Sequence, residues 1–143
     1  MKKQIIIRGP LGVGKSTIAK LLAKDLQREY FSLDKILEDH HLEETDGIPL
    51  ENFLKANEII FERTDHGMKS SVIDGCFYYQ EQMDDLKKKF GEEMLIFSLL
   101  SDVETCIKRD ASRKRAYGED ATRFVHMITT KIKEGHEIDN SHL

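Results

Sequence analysis

The chain has 143 residues, 26 of them Asp or Glu against 22 Lys and Arg, for a formal charge of −4. This length fits one domain that buries roughly 68–70% of its unfolded surface, and the acidic balance excludes a protein whose main work is sheathing nucleic acid, a term that scales with phosphate-neutralising cations. The longest apolar stretch, Met94 to Phe97 with Leu99 and Leu100, falls far short of the approximately 20 residues that span a bilayer, and Arg8 cuts the apolar run after Lys2-Lys3 before it reaches signal-peptide length.

Gln4-Ile5-Ile6-Ile7 predicts a first strand. It runs into Gly9-Pro10-Leu11-Gly12-Val13-Gly14-Lys15-Ser16, a complete G-x-x-x-x-G-K-S pattern, and Thr17-Ile18-Ala19-Lys20-Leu21-Leu22 predicts the helix that this pattern requires after it. Glycine at 9, 12 and 14 allows positive φ and close approach, so that successive N–H groups point at an anion, and the helix start adds its positive dipole end. Leu11, Val13 and Thr17 complete the expected cradle. Lys15 is expected to reach terminal phosphates as a compact charge, and the Ser16 hydroxyl to ligate Mg²⁺. Ile18, Leu21, Leu22 and Leu26 recur at helical spacing and are expected to pack on a sheet.

Tyr30 to Leu33 predicts the second strand. Asp34 then stands at its carboxyl end, where open α/β sheets bind ligands, and is expected to accept the proton of an acceptor hydroxyl. The structural alternative is an N-cap for the turn Lys35 to Asp39. His40-His41 is an adjacent pair without the i, i+4 spacing of a helical zinc site and reads as solvated loop. Ile48-Pro49-Leu50 opens a helix carrying Phe53, Leu54, Ile59, Ile60 and Phe61. Ser71 to Ile73 predicts the third strand, with Asp74 at its end expected to hold Mg²⁺ directly or through water, against a helix cap as the alternative. Phe77-Tyr78-Tyr79 follows, either lining an acceptor pocket or packing under a loop.

Gln80 to Phe90 predicts a polar helix that stops at Gly91, and Met94 to Leu100 the fourth strand. Val103, Cys106 and Ile107 face the core from the next helix. Cys76 and Cys106 are isolated, without metal-ligand spacing, and read as reduced thiols of a cytoplasmic protein. In the basic run Lys108 to Arg115, Arg109 and Arg113 are four apart, so a helix presents both guanidinium groups on one side, suited to clamping phosphoryl oxygens. Tyr117-Gly118-Glu119-Asp120 reads as a turn, which places the cluster in a mobile lid over about residues 109–121. Phe124, Val125 and Ile128 face the core from a later helix, and Ile138-Asp139-Asn140 reads as a fifth strand. Strands alternating with helices predict an α/β parallel sheet in a single domain over 1–143.

These residues resemble the small P-loop kinases of the adenylate-kinase-like class, most nearly the branch that phosphorylates hydroxyl groups: chloramphenicol phosphotransferase, the zeta-toxin kinases and the polynucleotide 5′-hydroxyl kinases. The resemblance implies a three-layer sandwich on a five-stranded parallel sheet in the order 2-3-1-4-5, ATP and Mg²⁺ at the loop, and a short lid with arginines. By that likeness Asp34 in Tyr30-Phe31-Ser32-Leu33-Asp34 matches the acceptor-activating carboxylate, and Arg109 and Arg113 match the R-x-x-x-R lid element. Departures sharpen the expectation. Nucleoside monophosphate kinases hold the acceptor phosphate with arginines, but Leu37 stands where one is expected and Asp74-Gly75-Cys76-Phe77-Tyr78 offers none. Arg63 is the only arginine between residues 34 and 75. Shikimate kinases carry a glycine run after the third strand, where this chain has Asp74-Gly75-Cys76. The implied reaction is transfer from ATP to a neutral hydroxyl of a small metabolite, with a nucleic-acid 5′-hydroxyl less favoured and no membrane partner. The alternatives are a nucleoside monophosphate kinase and a nucleotide-gated binding module without acceptor chemistry.

Overall fold

The computed structural model describes residues 2–44 and 47–141. Five strands, β1 (Gln4–Arg8), β2 (Glu29–Ser32), β3 (Ser71–Gly75), β4 (Met94–Leu100) and β5 (His136–Asp139), form one sheet in the order β2-β3-β1-β4-β5. All four pairings are parallel. Six helices connect them: α1 (Lys15–Asp25), α2 (Leu33–Asp39), α3 (Leu50–Arg63), α4 (Gln80–Phe90), α5 (Val103–Ala111) and α6 (Glu119–Thr130). The fold matches the implied P-loop kinase sheet in both strand number and order.

Alternation along the central strands builds two cores. Successive strand residues point to opposite faces. Ile5 and Ile7 therefore pack with Val72, Leu99, Cys106 and the small residues Ala19 and Ala23 of α1. Ile6 packs on the other face with Phe31, Ile73, Ile96 and residues of α3 and α4, among them Phe53, Ile60, Met83 and Leu86. The two middle strands β1 and β3 are buried along their full length, as a parallel sheet covered on both faces requires.

Two apolar residues expected in the core lie outside it. Leu21 of α1 is 58% exposed, because the helix leans on the sheet through Ala19 and Ala23, whose lack of bulk lets the backbones approach and turns Leu21 to the far side. Phe124 of α6 is 57% exposed, and the buried residues of that helix are Thr122 and Thr129. Boundaries also shift. Leu33 begins α2 rather than ending β2, because the Ser32 hydroxyl accepts a hydrogen bond from the Lys35 N–H at 3.2 Å and caps the helix. The expected turn Tyr117 to Asp120 is divided, since Gly118 caps α6 and Glu119 and Asp120 form its first turn.

Arg8 is the largest fully buried side chain. From the end of β1 its guanidinium donates to Ser98 Oγ (2.9 Å) and to the carbonyls of Ile132 (3.1 Å), Phe77 (3.3 Å) and Thr129 (2.9 Å). One cation thus ties β1 to β4, to the end of α6 and to the segment after β3. Burial pushes its pKa down, and the charge of Glu134 pulls it back up.

Candidate active site

Six residues separate β1 from α1, and their backbone is fixed by contacts that exclude side chains. Gly12 has φ 78°, and a Cβ there would lie 2.3 Å from the carbonyl oxygen of Cys106 in α5. Gly14 caps α1 with φ 102°, and a Cβ there would lie 2.9 Å from Asn140 Nδ2, just past β5. Only glycine accepts both demands. Between them, Val13 is fully buried and its carbonyl accepts hydrogen bonds from Arg109 and Asn140. Gly9 packs on Leu99, whose carbonyl oxygen would stand 2.8 Å from a Cβ. Gly9 and Val13, expected to border the anion, also seat the loop on β4 and α5.

The loop opens onto a cavity of about 320 Å³ bordered by Leu11, Gly12, Gly14, Lys15, Ser16 and Thr17 on one side. Asp34, Asp74, Arg109 and Arg113 complete it. Four separate segments therefore bring the expected site residues to one place. No side chain caps α1, so the N–H groups of its first turn, which lack acceptors within the helix, face this space. Lys15 Nζ donates to the Pro10 carbonyl at 2.8 Å, which curls the ammonium over the loop. Uncapped donors, a held ammonium and a loop backbone whose positive φ and close seating admit only glycine fit a polyphosphate.

The two carboxylates play different parts. Asp34 lies exposed in the first turn of α2, and because Ser32 is the cap of that helix, the capping alternative for Asp34 falls away. Asp74 belongs to β3 itself and is buried. Its capping alternative also fails, since the next helix starts only at Gln80. Burial pushes the Asp74 pKa above the ordinary 3.8, the hydrogen bond from Tyr30 and the charge of Lys15 pull it back, and the charge of Asp34 pushes again. Burial, followed by the bond to Asp74, also lifts the Tyr30 phenol well above its usual range, with the Ser16 and Ser32 hydroxyls close enough to oppose this. Ser16 and Asp74 are hard oxygen donors that both border the cavity within hydrogen-bonding reach of one another, a set suited to Mg²⁺. Tyr30 was not singled out by the sequence, where it reads as one more strand residue. Its polar tip at a strand end was the available signal.

The arginines reach the cavity by a different route from the expected one. Arg109, in the last turn of α5, donates to the carbonyls of Val13 (3.3 Å) and Ser141 (3.2 Å). Arg113 lies beyond the end of α5 at Ala111, with its guanidinium 5.1 Å from the centre of the Tyr117 ring. Helical spacing therefore does not align the pair. A third residue organises this segment: the buried Asp110 carboxylate accepts hydrogen bonds from the N–H groups of Tyr117 (3.1 Å) and Gly118 (2.9 Å).

Phe77 is fully buried and does not border the cavity, whereas Tyr78 and Tyr79 line a second hollow. His40 is exposed beside Arg63, at 3.3 Å from its guanidinium, and among the described residues no group of three or more His, Cys, Asp or Glu is placed to hold a metal. Cys76 and Cys106 are free and buried. No helix of the described residues is long and apolar enough to cross a membrane.

Comparison with known proteins places this geometry in context. The AAA domain family AAA_18 matches residues 5–126. A shikimate kinase from Bacillus subtilis (strain 168) is 35% identical over 78 residues, which cover 54% of this chain and 38% of the relative. A shikimate kinase from Marinomonas sp. (strain MWYL1) is 44% identical over 36 residues, 25% of this chain and 20% of the relative. The matched stretches thus span between about a fifth and two fifths of these curated relatives. Among solved structures, a gluconokinase from Sinorhizobium meliloti 1021 superposes with a TM-score of 0.75 at 12% identity, covering 99% of this chain and 85% of that one. A shikimate kinase from Acinetobacter baumannii in complex with shikimate gives 0.65 at 19% identity, with 99% and 85% covered. These structural likenesses show the fold.

Proposed function

Because the chain belongs to the AAA domain family AAA_18, we propose that it is an ATP- and Mg²⁺-dependent phosphotransferase whose acceptor is a hydroxyl of a small metabolite. The observation that carries this reading is the single cavity shared by the loop, both carboxylates and both arginines. Asp34 accepts the hydroxyl proton, the acceptor oxygen forms a bond to the γ-phosphorus, and the bridging P–O bond breaks with its electron pair leaving on ADP. Lys15, Arg109 and Arg113 supply positive charge around the transferred group, where the transition state gathers negative charge. Ser16 and Asp74 would hold Mg²⁺, which shields the phosphate oxygens when bound. The segment 109–121 acts as the lid that excludes water.

Relatives named shikimate kinase and gluconokinase support a small-molecule acceptor. The lack of an arginine on the acceptor side other than the exposed Arg63 supports a neutral hydroxyl over a nucleoside monophosphate, and favours the hydroxyl-phosphorylating branch. Two free cysteines fit a reducing, cytoplasmic setting. The test is a γ-³²P transfer screen over pooled metabolites and 5′-hydroxyl oligonucleotides, with the wild type and Asp34→Ala. Transfer by the wild type alone, with ATP binding equal in both by calorimetry, is expected. Undiminished transfer by the variant overturns the role of Asp34, and no nucleotide affinity in the presence of Mg²⁺ overturns the whole reading.

A further inference from the structure

A second hollow of about 350 Å³ is walled by the segment Gly47 to Pro49, by Tyr78 and Tyr79, and by Phe124 and Ile128 of α6. Its size is at the lower end of small-molecule sites, which run from about 300 to 1,000 Å³. None of the described residues lining it carries a charge.

The aromatic wall is built rather than accidental. Phe77 takes φ 50° and buries its ring completely, a left-handed backbone that a bulky residue rarely adopts, and the chain then delivers Tyr78 and Tyr79 to the hollow. The Tyr79 hydroxyl donates to the Ile48 carbonyl at 3.2 Å, which joins two walls. Phe53 supports both rings from beneath, with centroids 5.3 Å from Tyr78 and 5.6 Å from Tyr79. Opposite them Phe124 stays more than half exposed on α6, an aromatic ring at the rim that the core does not use.

Tyr78 links this hollow to the chemistry. Its ring lines the hollow, and the residues just before it and just before Asp34, Phe77 and Leu33, pack in one core cluster and both crowd Gly75, so the two side chains spring from adjoining backbone. Burial first, then the charges of Cys76, Tyr79 and Asp34, oppose its ionisation. We infer that the hollow holds the body of the acceptor, and that this acceptor is an uncharged alcohol carrying an apolar ring, with its hydroxyl directed to Asp34. The inference rests on the phosphotransfer reading and adds the substrate class. A carboxylate or phosphate on the acceptor would give up part of its water among tyrosine, phenylalanine and aliphatic side chains, with no cation among the described lining residues to receive it. A ring stacks on Tyr78, Tyr79 and Phe124 at no such cost.

Saturation-transfer NMR on the full chain tests it without requiring turnover. Benzyl alcohol and cyclohexylmethanol, at millimolar concentration, serve as neutral ring probes, with shikimate and gluconate as charged comparators. The neutral probes are expected to bind the wild type and to bind Phe124→Ala about fivefold more weakly, while the acids do not bind detectably. Because Phe124 is exposed, that variant is expected to keep its fold, which its melting temperature checks. Phe124→Lys, which places a cation at the rim, is expected to reverse the preference toward the acids. Absence of neutral-probe binding, binding indifferent to both Phe124 variants, or equal binding of the acids overturns the inference. None of these results touches the phosphotransfer reading. Binding that yields no phosphate ester with ATP and Mg²⁺ overturns the hollow as an acceptor site, and the pooled-metabolite screen then reports separately whether transfer to any hydroxyl survives.

Discussion

The Tyr30 hydroxyl donates its hydrogen bond to the buried carboxylate of Asp74, reaching from a β2 residue that pairs with Val72 to one two places further along β3, a side-chain bond that supplements the ladder. The carboxylate sits in the sheet interior, where its charge is costly, and the phenol is one of the groups that make the charge tolerable.

Burial raises the Asp74 pKa, so the folded chain holds this proton more tightly than the unfolded one, and stability falls as pH rises from 3.8 through the folded value. Asp74→Asn removes that liability. At neutral pH the variant is expected to need more urea to unfold than the wild type, and the advantage is expected to vanish below pH 3.8. Transfer activity is expected to drop by about 10²-fold or more, since the carboxylate proposed to hold Mg²⁺ is lost. Urea midpoints across pH, alongside steady-state transfer rates, check both halves.

Tyr30→Phe keeps the ring and deletes the donor. Loss of a hydrogen bond to a charged group is expected to cost about 1.5–3 kcal/mol of stability. The Mg²⁺ concentration for half-maximal transfer is expected to rise, because Asp74 loses its fixed orientation. A urea titration and a Mg²⁺ titration read the two effects separately.

Gly12→Ala forces a side chain into the left-handed region and against the Cys106 carbonyl, which is main chain and cannot swing aside. The expected result is a destabilisation above roughly 2 kcal/mol and at least about a tenfold loss of ATP affinity. Thermal melting and calorimetric titration with ATP measure these.

Arg8→Met leaves four acceptors without their buried donor. A loss of about 3–5 kcal/mol is expected. The residue does not border the cavity, so the KM for ATP measured well below the melting temperature is expected to stay near the wild-type value.

Arg109 and Arg113 separate by what each variant does to stability. Arg109→Ala removes two hydrogen bonds that seat the loop and the segment after β5, and is expected to lower both the melting temperature and nucleotide affinity. Arg113→Ala, at an exposed position beyond α5, is expected to leave melting nearly unchanged and to reduce the transfer rate by about 10²–10³-fold. A kcat deficit shared equally with a stability loss in Arg113→Ala would sink this division of labour.

Legibility from sequence followed how local each determinant is. The loop, its helix, the end of β3 carrying Asp74 and the end of β2 just before Asp34 were readable because glycine placement and apolar runs act over a few neighbouring residues. The end of α4 at Gly91 was readable for the same reason. Leu21 and Phe124 were misplaced because apolar spacing says which residues share a stripe but not which stripe leans on the sheet. Small residues decided that in α1, and paired threonines sit innermost in α6. Arg8 and Tyr30 escaped notice because their partners are distant in sequence, and Asp110 because its partners, seven and eight residues on, are backbone N–H groups that no side-chain pattern marks. Arg109 and Arg113 both border the cavity, but helical spacing is not what brings them there, since α5 ends between them.

The Asp110 clasp has a further consequence for how this scaffold can diversify. One buried carboxylate fastens the returning chain at Tyr117 and Gly118, so the exposed stretch from Ser112 to Ala116 is a bight whose two ends are already fixed side by side. Splicing extra residues into such a bight adds only about 0.6 kcal/mol for each doubling of its length. New side chains can therefore be grafted there, while the glycine loop and the first turn of α1 stay as they are.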